Sequence, residues 1–217
     1  MSVVLETDYL IVGSGAMGLA FADTLLSQTD AKMIIVDRHA KPGGHWNVAY
    51  PFVRLHQPSS FYGVESRELS RFQKDQVGMN KGLFDLASGP EVSAYFDDVM
   101  QQSFLPTGRV QYFPMCEYEG EGKFSGLTSG KTYEVRYKKL VDATRLTVDV
   151  PAEHKPAFSI ADGVNFMPLN DLPRLRRSAE GYVVIGSGKT GMDACLWLME
   201  HGVEPEDIRW IMPRDAW

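Results

Sequence analysis

The feature that most constrains the fold is a glycine pattern that occurs twice, each time directly after an apolar run. Residues 13–18 read Gly-Ser-Gly-Ala-Met-Gly, and residues 186–191 read Gly-Ser-Gly-Lys-Thr-Gly. A helical pattern and a second apolar run follow each copy. The four apolar runs are Tyr9–Val12, Met33–Val36, Tyr182–Ile185 and Ile208–Met212. A strand, turn, helix and strand of this length predict a parallel sheet with a right-handed crossover, so the expected fold class is α/β.

Both copies fit the GxGxxG fingerprint of dinucleotide-binding turns. The first glycine permits the tight turn, the second lets a pyrophosphate approach the backbone, and the third lets helix and strand pack closely. The phosphates meet the amides at the helix N-terminus. The candidate ligands are Gly13, Ser14, Gly15, Ala16, Met17 and Gly18 in the first loop, and Gly186, Gly188, Lys189, Thr190 and Gly191 in the second. The alternative for each loop is a tight turn without a ligand.

The residues after the second strand of each unit indicate which dinucleotide is bound. Asp37 and its neighbour Arg38 follow the second strand of the first unit, where a carboxylate can hold the ribose hydroxyls of an adenosine. Arg214 lies near the corresponding position of the second unit. An arginine there suits the 2′-phosphate of NADPH, so NADPH is favoured over NADH. The alternatives are a surface aspartate and a solvated arginine. A Walker A loop is excluded because Val183 occupies the position of its first glycine.

The remaining segments predict how the chain is organised. Residues 40–90 are rich in glycine and proline and predict long loops, and Ser88 to Phe104 predicts a helix that begins with a capping box. Residues 109–141 predict short antiparallel strands, at 109–113, 116–119, 123–127 and 132–137, followed by another strand at 139–142. We therefore expect a dinucleotide-binding domain over residues 1–150, and a linker with a partial second unit over residues 151–217.

Composition and charge exclude several classes of protein. The formal net charge is −6, so the chain lacks the basic footprint of a nucleic-acid-binding protein. The apolar runs are too short to span a membrane, and the first residues lack the positive charge of a secretory signal, so we expect a soluble cytoplasmic protein. The two cysteines, Cys116 and Cys195, form no CxxC pair. No cluster of His, Cys, Asp or Glu has the spacing of metal ligands, and we expect no metal site.

Together these motifs resemble the NAD(P)H-dependent flavoproteins that bind two dinucleotides, especially the flavin-containing and Baeyer–Villiger-type monooxygenases. The motifs that carry the resemblance lie in the family's order: Gly13–Gly18, Asp37, Pro42–Trp46, Leu140–Thr144 and Gly186–Gly191. The resemblance implies an FAD-type Rossmann domain with a parallel sheet and a β-meander, followed by a partial second Rossmann unit. It also implies that the first unit binds FAD and the second binds NAD(P)H.

The resemblance further implies roles for residues outside the glycine loops. Gly44, His45 and Trp46 would lie along the FAD, and Leu55, His56 and Gln57 would belong to a loop near the isoalloxazine. The backbone of Cys116 would meet the adenine from a strand, and Thr144 would belong to a turn that approaches the FAD. His45 and His56 are candidate acid–base groups beside the flavin, or side chains that simply bind the backbone.

Three departures from the family pattern bear on function. Arg145 replaces a usual glycine, the FxGxxxHxxxY signature is absent, and the chain reaches its last residue just after the second strand of the second unit. We therefore expect a further C-terminal segment or a homo-oligomer to cover that unit.

The resemblance implies an FAD-dependent, NAD(P)H-linked oxidoreductase, monooxygenase-like, that acts on a small-molecule substrate of unknown identity. The alternatives are a non-catalytic FAD- and NAD(P)-binding module, and a flavin reductase or oxidase without oxygen insertion.

Overall fold

The chain divides into two compact units in the computed structural model. The described residues are 2–145, 152, 155–156, 158–175 and 179–212. The first unit comprises Met1–Val48 and Gln57–Val148, and the second comprises Ala49–His56 and Asp149–Trp217. The sequence interpretation assigned residues 49–56 to the first domain, whereas they are part of the second unit.

The first unit is built on a six-stranded sheet with the strand order β5-β2-β1-β8-β7-β6. Its strands and helices are β1 (Val3–Val12), α1 (Ala16–Gln28), β2 (Met33–Val36), β3 (Gly63–Val64), β4 (Arg67–Glu68), α2 (Gly89–Asp98), β5 (Val110–Phe113), β6 (Cys116–Gly120), β7 (Lys123–Gly126) and β8 (Thr132–Asp142). Strands β5, β2, β1 and β8 run parallel, while β6, β7 and β8 form an antiparallel meander. The predicted α/β class with a parallel sheet and a meander is confirmed.

Alternation along the strands gives the parallel part of the sheet two buried faces. Leu10, Ile34 and Val36 face one side, where they pack with meander residues that include Phe124. Tyr9 has the opposite orientation, and its ring contacts Phe21 of α1 at 6.0 Å between centroids. The meander therefore covers one face of the sheet and α1 covers the other, which explains why β2 and the last four residues of β1 are apolar.

Two strand predictions are wrong. Residues 109–113 were expected in an antiparallel group, but β5 pairs in parallel with β2, with Met33 opposite Val110. The chain reaches β5 through helix α2, and a crossover of this kind returns the chain in the parallel direction. Residues 132–137 and 139–142 were expected as separate strands, yet they form the single strand β8 because its pairing with β1 continues from Tyr133 to Asp142.

Helix α2 starts where the sequence predicts. The Ser88 side chain accepts a hydrogen bond from the Glu91 backbone N–H, and the Glu91 side chain accepts one from the Ser88 backbone N–H, so the capping box is complete. The α-helix ends at Asp98 rather than at Phe104, because Val99–Phe104 continues as a π-helical segment.

The described residues of the second unit form a two-stranded parallel sheet and one α-helix. Strands β9 (Tyr182–Ile185) and β10 (Ile208–Ile211) pair in parallel and flank α3 (Lys189–Glu200). Ala194 and Leu198 of α3 are buried with Leu172, and Val184 packs against this cluster. The alternate side chains of the strands, Val183, Ile185 and Ile211, are at least half exposed. A single helix thus covers one face of a two-stranded sheet, as the sequence predicts for a lone βαβ unit.

Two further properties of the described residues concern membrane insertion and metal binding. No described helix is long and apolar enough to cross a membrane. No group of three or more His, Cys, Asp or Glu side chains in the described part of the chain is arranged to hold a metal ion.

The capping box allows a direct test of the fold. We expect Ser88→Ala to lower the free energy of unfolding by about 1 kcal/mol, because it removes the N-cap acceptor of α2. Urea denaturation measures the change. Ser93→Ala, within the same helix, is the matched control and should not destabilise the protein, since alanine is the better helix former. Equal stability of the Ser88 variant and the wild type would contradict the capping role.

Candidate functional site

The first candidate site lies where three parallel strands end. Gly13 follows β1, Asp37 follows β2 and Ala143 follows β8. The Gly13 N–H donates to the Val36 carbonyl at 2.8 Å, and the Ala143 N–H donates to the Val12 carbonyl at 2.9 Å. The turns after the strands are therefore held side by side at the carboxyl edge of the sheet, which is where open α/β sheets bind ligands.

The three glycines of the first loop are under different steric constraints. Gly13 has a φ of +99°, a conformation that side chains disfavour. A Cβ atom on Gly18 would collide with the carbonyl oxygen of Gly13, so the third glycine lets α1 pack against the strand end. A Cβ on Gly15 would lie 3.5 Å from the Cα of Gly44, an ordinary contact. The fold alone therefore tolerates alanine at position 15 but not at position 18.

Helix α1 begins without a cap. Its N-cap is Gly15, no side chain in the described part of the chain caps it, and its first turn holds no acidic residue. The first N–H groups of any helix have no acceptor within the helix. The amides of Ala16 and Met17 lie in this turn, next to the close contact between Gly15 and Gly44. This uncapped turn is electrostatically suited to an anion.

Asp37 is the centre of a buried hydrogen-bond network, with only 6% of its surface exposed. Its Oδ2 accepts from the Ser14 N–H at 2.6 Å and from the Ser14 hydroxyl at 2.7 Å. Its Oδ1 accepts from the His39 N–H at 2.7 Å and lies 3.1 Å from His39 Nδ1. The Asp37 carboxylate therefore ties the glycine loop to the end of β2. Its predicted contact with a ribose stays a prediction.

The sequence interpretation missed His39 and Tyr112, which complete this network. The Tyr112 hydroxyl lies 3.3 Å from the Ser14 Oγ, and burial raises the pKa of Tyr112. His39 follows Asp37 by two positions, a spacing that favours a local bond to the carboxylate. Tyr112 is on β5, and only the parallel pairing of β5 with β2 brings it here. Arg38, a predicted ligand, has an exposed side chain 3.9 Å from Glu117.

The segment predicted to run along the flavin forms a short 3₁₀ turn, Gly44–Asn47. The Gly43 N–H donates to the Ser14 carbonyl at 2.8 Å, so this turn is attached to the first glycine loop. Trp46 donates from Nε1 to the Tyr62 hydroxyl at 2.8 Å, and burial raises the pKa of Tyr62. His45 is exposed, with its ring centroid 5.1 Å from that of Trp46.

Cys116 and Thr144 also lie at this edge of the sheet. Cys116 is buried, its N–H donates to the Asp37 carbonyl at 2.9 Å, and burial raises the pKa of its thiol. The Thr144 hydroxyl and N–H donate to Asp142 Oδ1 at 2.6 Å and 2.9 Å, and they lower the pKa of that carboxyl. Arg145, where the family has glycine, is exposed and lies 3.8 Å from Asp142.

The second glycine loop repeats the backbone geometry of the first. Gly186 has a φ of +125°, and a Cβ on Gly191 would lie 2.5 Å from the Gly186 carbonyl oxygen. That oxygen also accepts from Trp210 Nε1 at 2.7 Å. Gly188 is the N-cap of α3; among the described residues, no side chain caps this helix and no atom outside the local backbone lies within 4 Å of a Cβ built on Gly188. The second loop is therefore also an uncapped helix start with an open approach.

The other predicted residues of the second unit differ in their surroundings. The Lys189 ammonium contacts the Asp193 carboxylate and the Arg54 carbonyl, and Thr190 bonds the Tyr50 hydroxyl. Leu55 is buried and His56 is exposed in the second unit, whereas Gln57 is in the first unit. Arg214 lies outside the described residues.

Comparison with known proteins supports the architecture. Residues 11–52 match a family model described as an NAD(P)-binding Rossmann-like domain. The match covers the end of β1, the first glycine loop, α1, β2 and the Gly44–Asn47 turn.

Solved structures with a similar fold include flavin monooxygenases and a disulfide reductase. A flavin-containing monooxygenase from Stenotrophomonas maltophilia is 17% identical, with 98% of this chain and 59% of that one covered and a TM-score of 0.59. A bacillithiol disulfide reductase from Staphylococcus aureus is 16% identical, with the same coverage and a TM-score of 0.56. Cyclohexanone monooxygenase from Rhodococcus sp. Phi1 bound to NADP+ is 20% identical, with 98% and 38% covered and a TM-score of 0.52.

The curated relatives are similar over almost the whole chain. Uncharacterized proteins from Mycobacterium tuberculosis and Mycobacterium bovis are 52% identical over 213 residues, which is 98% of this chain. The chain spans 40% of the length of these relatives. The resemblance to the two-dinucleotide flavoproteins is thus confirmed at the level of the fold: the chain has the Rossmann-like architecture of the flavin monooxygenases.

The Asp37 network predicts a stability effect. We expect Asp37→Asn to lower the free energy of unfolding of the first unit by about 1.5–3 kcal/mol, because hydrogen bonds to a charged acceptor are lost and buried donors lose their partners. Asp30→Asn, at an exposed position, is the matched control. Chemical denaturation followed by circular dichroism measures both variants, and unchanged stability of the Asp37 variant would contradict the role assigned to it.

The Thr144 turn predicts a change in titration. In the wild type, the lowered pKa of Asp142 stabilises the fold above the ordinary carboxyl pKa, and this contribution is lost as the pH falls through the lowered value. We expect Thr144→Val to raise the pKa of Asp142 toward its ordinary value, because the hydroxyl donor is removed. NMR titration of the carboxyl carbon measures it, with Thr128→Val as the control. A pKa that does not rise would contradict the assignment.

Proposed function

We propose that this chain is the dinucleotide-binding part of an FAD-dependent, NADPH-linked oxidoreductase, with FAD at the first glycine loop and NADPH at the second. One observation carries the proposal. Helix α2 has a complete capping box, whereas α1 and α3 begin at glycines without any side-chain cap. Both uncapped helices follow a GxGxxG turn. A bound pyrophosphate supplies the acceptors that these helix starts lack.

The residues of the first unit fit FAD. Gly15 and Gly44 have no side chains to cover the backbone beside the uncapped turn. Their backbones are so close that a Cβ on Gly44 would lie only 3.0 Å from the Cα of Gly15. The segment before the Gly44–Asn47 turn and Thr144 both contact the loop: the Gly43 N–H donates to the Ser14 carbonyl, and Thr144 Cγ2 lies 3.1 Å from a Cβ built on Gly13. The similarity to a flavin-containing monooxygenase supports FAD at this loop.

The assignment of NADPH to the second loop rests on two observations. Gly188 leaves the approach to the N-terminus of α3 open. Cyclohexanone monooxygenase has a similar fold, and its structure was solved with NADP+ bound. This similarity favours the phosphorylated cofactor over NADH. The role of Arg214 at the 2′-phosphate belongs to the same proposal.

FAD, when bound, supplies a ring that accepts a hydride from NADPH and passes its electrons to oxygen or another acceptor. This chain binds and orients the cofactors. The first turn of α1 offers amides to the phosphates, and Asp37 holds the glycine loop through Ser14. His45 is exposed beside Trp46 and is a candidate for proton transfer. Monooxygenation of a small molecule is the reaction that the overall similarity favours.

A reductase without oxygen insertion is the second candidate, because the fold is also similar to a bacillithiol disulfide reductase. The products distinguish the two candidates. Oxygen uptake coupled to a hydroxylated or oxygen-inserted product supports the monooxygenase, and NADPH oxidation without an oxygenated product supports the reductase. Cofactor binding without turnover supports the non-catalytic module.

Paired glycine variants test the cofactor assignment. We expect Gly15→Ala to weaken FAD binding at least about ten-fold and to leave NADPH binding intact, because its methyl group obstructs the phosphate but not the fold. Gly188→Ala should do the reverse. Visible absorption and fluorescence titration measure FAD and NADPH, and thermal melting confirms that each variant is folded. Full FAD occupancy in Gly15→Ala would contradict the first assignment, and unchanged NADPH affinity in Gly188→Ala would contradict the second.

A further inference from the structure

Strand β10 binds both backbone polar groups of Gly186, the first glycine of the second loop. The Gly186 N–H donates to the Ile211 carbonyl at 2.9 Å, and the Gly186 carbonyl oxygen accepts from Trp210 Nε1 at 2.7 Å. The same indole nitrogen lies 3.4 Å from a Cβ built on Gly191, so the Trp210 ring also lies beside the third glycine. A side chain of β10 therefore fastens the second loop within its own unit.

The hydrogen bonds of the two loops show which residues of the two units correspond. The Gly13 N–H donates to the carbonyl of Val36, the last residue of β2. The Gly186 N–H donates in the same way to the carbonyl of Ile211, the last residue of β10. Three further positions of the second unit then correspond to positions of the first: Ser187 to Ser14, Trp210 to Ile35, and Met212 to Asp37.

Different side chains fasten the two loops. In the first unit the apolar side chain of Ile35 has no donor, and the Asp37 carboxylate holds the loop by accepting from the Ser14 N–H and hydroxyl. In the second unit Trp210 makes the fastening bond, and an uncharged methionine, Met212, occupies the position of Asp37. Because the indole holds the second loop, this loop does not need a carboxylate after β10.

The residue after the second strand bears directly on the ribose of a dinucleotide. A carboxylate at this position binds the ribose 2′-hydroxyl, and its negative charge repels a 2′-phosphate. Met212 carries no charge and is 53% exposed, so it presents no such repulsion at a position that a ligand can reach. The first loop has Asp37 at this position, which suits a dinucleotide without a 2′-phosphate.

We propose that Met212 makes the second loop selective for a dinucleotide that carries a 2′-phosphate, and that Trp210 is the positioning residue that holds this loop in place of a carboxylate. The inference rests on the proposed function and deepens it, because it identifies a described residue that separates NADPH from NADH. Trp210 sets the shape of the loop, and Met212 sets its choice of ligand.

Substitution of Met212 tests the selectivity. We expect Met212→Asp to lower the affinity for NADPH at least about ten-fold relative to the affinity for NADH, because the new carboxylate repels the 2′-phosphate and binds the ribose hydroxyl. Met212→Asn is the matched control: it has the size of aspartate without the charge, and its affinity ratio should stay within about two-fold of the wild type. Fluorescence titration with each dinucleotide measures the ratio. An unchanged ratio in Met212→Asp would overturn the selectivity.

Amide hydrogen exchange tests the positioning role without any cofactor. We expect Trp210→Phe to raise the exchange rates of the Gly186 and Gly191 amides at least about five-fold, because the loop opens more easily without the indole bond. Adding Met212→Asp to this variant should restore protection, since its carboxylate can accept from Ser187 as that of the first unit accepts from Ser14. The double variant thus gives the second loop the fastening of the first.

Controls and the wild type separate the possible failures. Tyr182→Phe loses a hydrogen bond of the same unit outside the loop, so it should leave the loop exchange unchanged. Wild-type exchange in the Trp210 variant, or no restored protection in the double variant, would overturn the positioning role. Equal affinity of the wild type for NADPH and NADH would overturn the selectivity alone. A wild type that binds neither dinucleotide would overturn the proposed function, and the selectivity with it.

Discussion

The close packing of α1 against the end of β1 is the constraint on which the first unit depends. A side chain at Gly18 would collide with the Gly13 carbonyl oxygen, so the helix can begin here only because position 18 is glycine. That contact fixes where the uncapped amides of α1 lie relative to the carboxyl edge of the sheet. The Asp37 carboxylate then holds the intervening loop through Ser14, and the Gly44–Asn47 turn attaches to the same loop.

The contrast between capped and uncapped helices connects this geometry to function. Ser88 and Glu91 cap α2 with a complete pair of side-chain hydrogen bonds. Helices α1 and α3 leave their first amides to an external acceptor, and both are preceded by glycines that keep side chains away. In the absence of a ligand, water satisfies these groups less favourably than a pyrophosphate would. The two loops are therefore equivalent in their backbones and differ in their side chains, with Ser14 bonded to Asp37 in one and Lys189 bonded to Asp193 in the other.

The sequence predicted the features that depend on local spacing and left out those that depend on pairing. The glycine loops, the capping box of α2 and the strands Met33–Val36 and Tyr182–Ile185 follow from patterns of a few residues. The direction of β5 does not, because it depends on which strand Val110 meets. Tyr112 joins the Asp37 network through that pairing, and Tyr50 meets Asp193 across 143 positions. Neither contact has a local signal, so the sequence alone placed residues 49–56 with the first domain, whereas they belong to the second unit.

We propose that the two uncapped glycine loops are two separate dinucleotide sites. Equilibrium dialysis of the unaltered chain against FAD, then against NADPH in the presence of saturating FAD, tests it most directly. The account predicts that FAD and NADPH bind together, each in an equimolar amount, and that neither displaces the other. Competition between the two cofactors for a single site, or failure of the chain to bind either of them, would contradict it.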